Sequence, residues 1–137
     1  MQEAFLQVLE IQNRLVGASR LAHWNIVGPN FYELHLLFER IYDIAGAKMD
    51  GLAEQARGCG CEIKASIFNS VPEIDWMTSD DLVRRLNLLN SDLKFALEKL
   101  RTEADGESNY GVVNLVEDML SDCNVIKYLL SSVLDIV

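Results

Sequence analysis

Two histidines, His23 and His35, stand twelve residues apart, and three acids follow at spacings that suit metal ligation: Glu39, Asp50 and Glu54. Imidazole nitrogen mixed with carboxylate oxygen suits iron, manganese or zinc, and iron is the favoured occupant. Singly, each residue has an ordinary role, because a lone helical histidine is usually hydrogen-bonded structure and acids four residues apart are usually a solvated face. Jointly they are harder to dismiss: acids are 21 of 137 residues, so three given positions are all acidic by chance on the order of 1 time in 300.

The elements that must position these residues are legible as helical periodicity. Phe5, Leu6, Leu9, Leu15, Val16 and Leu21 predict a first long helix ending near Val27, before the breaker pair Gly28-Pro29. Asn30 can cap a second helix, in which Leu34, Leu37, Phe38, Ile41 and Ile44 continue the 3.6-residue period unbroken to about Arg57. Gly58-Cys59-Gly60-Cys61 ends that pattern, and the stretch to Met77, with Pro72, reads as a long crossover carrying one short helix. Thr78-Ser79-Asp80-Asp81 supplies cap and first-turn acids for a third helix, striped by Leu82, Val83, Leu86, Leu89, Leu93, Leu97 and Leu100 and stopping near Glu103. After a turn at 105–108, Val112, Leu115, Val116, Met119, Leu120, Val125, Ile126, Leu129 and Leu130 form a fourth helix. Two short links and one long crossover predict an all-α, ferritin-like four-helix bundle. A chain of 137 residues, half of them apolar, suits a single domain over residues 1–137.

If the second helix is straight, His35 at zero puts Gly46 near about 20°, Glu39 near about 40°, Asp50 near about 60°, Asp43 near about 80° and Glu54 near about 100°, all on one face. Yet the fifteen residues from His35 to Asp50 span about 22 Å of helix, whereas ligands sit about 2 Å from an ion. One helix cannot bring both to one centre. Two copies packed antiparallel about a two-fold axis can, closing two equivalent sites. Gly46, near the midpoint, suits close helix approach at that axis.

A formal charge of −9 argues against binding nucleic acid or an anionic membrane through a basic face and favours attracting cations. No apolar run reaches the roughly 18 residues of a membrane span, and the first ten residues hold Glu3 and Glu10 but no Lys or Arg, so neither a span nor a signal peptide is expected. Three cysteines, an odd number, fit free thiols in a reducing compartment, and a cytoplasmic location is expected.

The run Ala22-His23-Trp24-Asn25, Gly28-Pro29-Asn30-Phe31, Leu34-His35, Phe38-Glu39, Asp50 and Glu54 resembles the Dps family of mini-ferritins. The resemblance is close over about residues 20–57 and looser, in helix pattern and loop placement, elsewhere. It implies a dodecameric hollow shell whose di-iron sites at two-fold interfaces oxidise Fe(II), usually with hydrogen peroxide, and store ferric mineral, protecting against oxidative damage. Zinc or manganese would be substitute occupants. On that resemblance His23, His35 and Glu39 come from one subunit and Asp50 and Glu54 from its partner. Trp24 matches a family tryptophan able to donate an electron or trap a radical, and an aromatic core anchor is the plain alternative. Near the start of the fourth helix relatives line a pore with aspartates, where this chain has Asn114, with Glu117 and Asp118 nearby. Many relatives also bind DNA through lysine-rich tails. No such cluster stands here, with no basic residue after Lys127, so a DNA-protecting architectural role is the weaker alternative.

Overall fold

Apolar stripes at helical spacing bury one face of each long helix, and those faces meet in one shared core. The computed structural model describes residues 1–69, 74 and 78–135. Its helices are α1 (Gln2–Asn25), α2 (Phe31–Gly46), α3 (Met49–Gly58), α4 (Ser79–Gly106) and α5 (Tyr110–Val133), with a single 3-10 turn at Ala65–Phe68 in the crossover. Around the bundle α1 packs on α2 and α4, α4 on α5, and α5 on α2 and α3, while the 3-10 turn lies against α1. The fold is the expected ferritin-like four-helix bundle, and every regular element among the described residues is helical. None of these helices is long and apolar enough to cross a membrane.

The core runs through Phe5, Leu9 and Leu15 of α1, Phe38 and Ile41 of α2, Leu52 of α3, Leu86, Leu97 and Leu100 of α4, and Ile126 and Leu130 of α5. Local chemistry sets most helix ends. Ile26 is extended after α1 (φ −59°, ψ 137°), and Gly28 adopts φ +111°, a conformation open to glycine. Thr78 Oγ1 accepts from the Asp81 amide at 3.2 Å to open α4. Asn109 Oδ1 accepts from the Val112 amide at 3.3 Å to open α5. Asn30 holds the cap position of α2, but its side chain makes no capping bond. Helix α4 runs three residues past Glu103, closed by the Asn109 amide on the Ala104 carbonyl (2.9 Å) with Ser108 left-handed at φ 56°. The short crossover helix is realised as the 3-10 turn, with Ile67 buried, and Pro72 and Met77 lie outside the described residues.

One expectation changes. The second helix is not continuous to Arg57: it breaks at Ala47-Lys48 into α2 and α3. The Ala47 amide reaches back three residues to the Ile44 carbonyl (3.4 Å), and regular pairing resumes with the Leu52 amide on the Lys48 carbonyl (3.0 Å). The causes are tertiary as well as local. Gly46 is a weak helix former, Gln12 Nε2 donates across from α1 to the Ala45 carbonyl at 3.3 Å, and Lys48 Nζ meets Asp122 Oδ2 of α5 at 2.6 Å. Gly46 also faces inward: a Cβ there would sit 3.5 Å from Val16 Cγ2 of α1. The close approach seen at Gly46 is to α1 of its own chain.

Two expected outcomes test this core. Phe38 is fully buried, so Phe38→Ala should lower unfolding free energy by about 3–5 kcal/mol in a denaturant melt; an unchanged midpoint contradicts its placement. Burial, aided by Asp122 and Glu98 and opposed by Lys94, pushes the Cys123 thiol up from 9.0 to about 12. Because the folded value is the higher one, its contribution to stability is whole below 9.0 and is lost as pH rises toward about 12. A thiol reagent at about pH 8 should modify exposed Cys59 in the native protein and leave Cys123 untouched, and native labelling of Cys123 would refute that burial.

Candidate metal centre

The two histidines meet across the α1–α2 turn. His23 lies in the last turn of α1, where carbonyls lack partners within the helix, and His35 Nδ1 lies 2.7 Å from the His23 carbonyl oxygen. The contact is reciprocal, with His23 Nδ1 2.7 Å from the His35 carbonyl oxygen. A carbonyl can only accept, so both Nδ1 atoms carry the hydrogen and donate. In the neutral rings each Nε2 is then left as a lone pair. The rings stack with centroids 3.7 Å apart and 13° between planes. An imidazole whose Nδ1 is tied to backbone has Nε2 as its remaining candidate metal-binding nitrogen. Mutual helix capping alone would explain the bonds, though it gives the paired Nε2 atoms no task.

Other side chains brace this pair. The Phe31 ring stacks on His35 at 5.0 Å, and the Tyr42 ring meets His23 edge-on at 5.5 Å. The Arg20 guanidinium lies over the Tyr42 ring at 5.0 Å. Sequence reasoning quoted Phe31 only as part of the motif and missed Tyr42 and Arg20, although the signal was present: Phe31 is four residues before His35, Tyr42 seven after it, and Arg20 three before His23, all same-face helical spacings. Trp24, next to His23, is 66% exposed, so within this chain it is no core anchor.

The carboxylates divide between two helices. Glu39 follows His35 by one turn of α2 and is half-buried, and Asp43 one turn further is exposed. Asp50 and Glu54 lie beyond the break, both exposed and one turn apart on α3. The break removes the straight-helix angles that placed them relative to His35, but four-residue spacing still puts them on one face of α3. Among the described residues no three His, Cys, Asp or Glu side chains gather in a group able to hold a metal. One chain thus brings together the histidine pair and leaves Asp50 and Glu54 on a separate helix. The donor chemistry fits iron: two lone-pair nitrogens and several carboxylates combine intermediate and hard ligands.

Glu54 also lines an open groove of about 670 Å³ between α3 and the start of α5, with Gln55, Cys59, Asn109, Asn114 and Asp118. Of the acids near the start of α5, Asp118 is on this groove, whereas Glu117 faces Arg101 at 3.8 Å. Cys59, Cys61 and Cys123 are all free thiols. Asn109 Nδ2 donates to Cys59 Sγ at 3.1 Å, tying the end of α3 to the start of α5.

No protein-family model matches the chain. A curated relative, a DNA protection during starvation protein of Brevibacillus brevis, is 41% identical over 51 residues, which are 37% of this chain and 34% of the relative. The match therefore spans about a third of that relative's length. A Dps protein of Vibrio cholerae O1, described as a member of a broad superfamily of ferritin-like diiron-carboxylate proteins, superposes with a TM-score of 0.88 at 22% identity, covering 97% of this chain and 87% of that one. A Dps protein of Bacillus brevis superposes with a TM-score of 0.82 at 24% identity, covering 97% and 96% of the two chains. Those superpositions establish the fold, and the curated match adds local sequence identity to it. The chain thus has the fold of the Dps proteins, and over 51 residues it is similar in sequence to one protein named for DNA protection during starvation.

Proposed function

We propose that this protein oxidises Fe(II) at paired sites shared between subunits and stores the ferric product inside a hollow homo-oligomeric shell, a dodecamer in the Dps arrangement. The observation that carries this reading is the reciprocal pairing of His23 and His35, which commits both Nδ1 atoms to backbone carbonyls and leaves each Nε2 as the candidate ligand atom. In the assembled site His23 and His35, with Glu39, face Asp50 and Glu54 of a two-fold partner. The ligand-bearing segment folds with its nitrogen donors on one side of the α2–α3 break and this carboxylate pair on the other, so an antiparallel partner supplies what each half lacks.

The substrates are Fe(II) and hydrogen peroxide, with dioxygen as the other oxidant. Neutral imidazoles and carboxylates bind Fe(II), and the oxygen-rich set favours the ferric product, which lowers the potential and drives oxidation. Two Fe(II) ions give one electron each to one peroxide, the O–O bond breaks, and two protons are taken up to yield two waters. Pairing the electrons avoids releasing hydroxyl radical. Trp24, next to His23 in sequence and exposed, would give up an electron when a single iron reacts. The charge of −9 attracts Fe(II) and opposes a phosphate backbone. Protection of DNA, the property in the relative's name, is on this reading chemical: iron and peroxide are removed. Zinc or manganese would occupy the same donors as substitutes. No contact with DNA or membrane is part of the proposal.

Asp50→Ala should slow peroxide-driven Fe(II) oxidation at least about tenfold in stopped-flow absorbance; a parent-like rate removes the basis of the site. Nitrogen-15 spectra of the neutral rings should show Nδ1 protonated and Nε2 bare in both histidines, and Zn(II) should shift both Nε2 signals. The opposite tautomer in either ring contradicts the pairing described above.

A further inference from the structure

At the α2–α3 break the bundle leaves a small, partly open cavity of about 10 Å³, lined by Gln12, Ala45, Lys48, Leu97, Asp122 and Cys123 among others. That volume is about the minimum one water needs. Its lining is unusual for a helical core. Gln12 is only 2% exposed, and its Nε2 is committed to the Ala45 carbonyl, which fixes the amide orientation and leaves Oε1 without a partner. A buried acceptor in that state is destabilising unless something donates to it.

We propose that one internal water occupies this cavity, donating to Gln12 Oε1 and accepting from the Lys48 ammonium, and that Gln12, Lys48, Asp122 and this water form a polar lock fixing the break between α2 and α3. Lys48 has three N–H donors and its bond to Asp122 Oδ2 at 2.6 Å uses one, so a proton remains for the water. The lock grips both sides of the break. Gln12 holds the last turn of α2 through Ala45, and Lys48, immediately before α3, is held to α5 through Asp122. Two residues later comes Asp50, and one turn after it Glu54. A fixed break thus sets the offset of these carboxylates from the histidine pair, which makes Gln12 and Lys48 positioning residues; this last step rests on the metal site proposed above.

The test uses the full-length assembled protein and two readouts. In Gln12→Met, which keeps the volume and removes both polar atoms, amides of Met49 to Leu52 should exchange with deuterium about tenfold faster while those around Leu100 stay unchanged. The Zn(II) affinity of the same variant, measured by calorimetry, should fall about tenfold. Lys48→Met should behave likewise and Lys48→Arg should largely restore both readings. Parent-like exchange at Met49 to Leu52 in Gln12→Met overturns the lock, as does a high-resolution map of the parent with no water on Gln12 Oε1. Faster exchange with unchanged Zn(II) affinity overturns the positioning role. If the parent itself binds no Zn(II), the metal site fails, and the exchange readout still decides the lock.

Discussion

The proposed metal site rests on two hydrogen bonds that cross one turn. His35 Nδ1 satisfies a carbonyl at the end of α1, and His23 Nδ1 returns the bond from α1 to α2. Each donor is used up by backbone, so neither ring can offer it elsewhere, and both present the other nitrogen as a base. The bonds also close the α1–α2 corner, because the connection from Ile26 to Asn30 is short and Gly28 must turn sharply. On the proposed reading, folding and ligand presentation are one event at this corner. The aromatic neighbours Phe31 and Tyr42 restrict the rings further, so the nitrogens are held by the frame rather than gathered by an arriving ion.

The carboxylate half obeys a different constraint. Asp50 and Glu54 lie on a helix that is only ten residues long, separated from α2 by the break and anchored by contacts with α1 and α5. Exposed carboxylates there cost little in the isolated chain, since water solvates them. Their placement opposite imidazole nitrogens on a partner would replace that water with a cation. The formal charge of −9 fits the proposed division of labour, because net acidity favours cations over phosphate backbones.

The bundle was legible in the sequence where local chemistry decides the structure. Thr78 and Asn109 cap helices through their own side chains, and Gly28 supplies the backbone angle that ends the first pair. The break at Ala47-Lys48 was not legible. No proline marks it, the apolar period continues through it, and Gly46 alone is too weak a signal. What breaks the helix is Gln12, more than thirty residues away, and Asp122, more than seventy away, acting through contacts that only the tertiary fold creates. Likewise the pair His23 and His35, which the structure brings together, was nominated by the sequence. The tautomer and stacking of the histidines were not, because they follow from the geometry of the turn.

The central claim, that each site takes its nitrogens from one subunit and its carboxylate pair from another, is tested most directly by mixing. Chains carrying His35→Ala and chains carrying Asp50→Ala are each unfolded, combined in equal amounts and refolded together, and Fe(II) oxidation is measured against each variant refolded alone. In a mixed pair one site collects both lesions and the other none, so random pairing should restore roughly a quarter of the parent rate. If the mixture is no more active than the separate variants, the sites are not shared and the account is wrong.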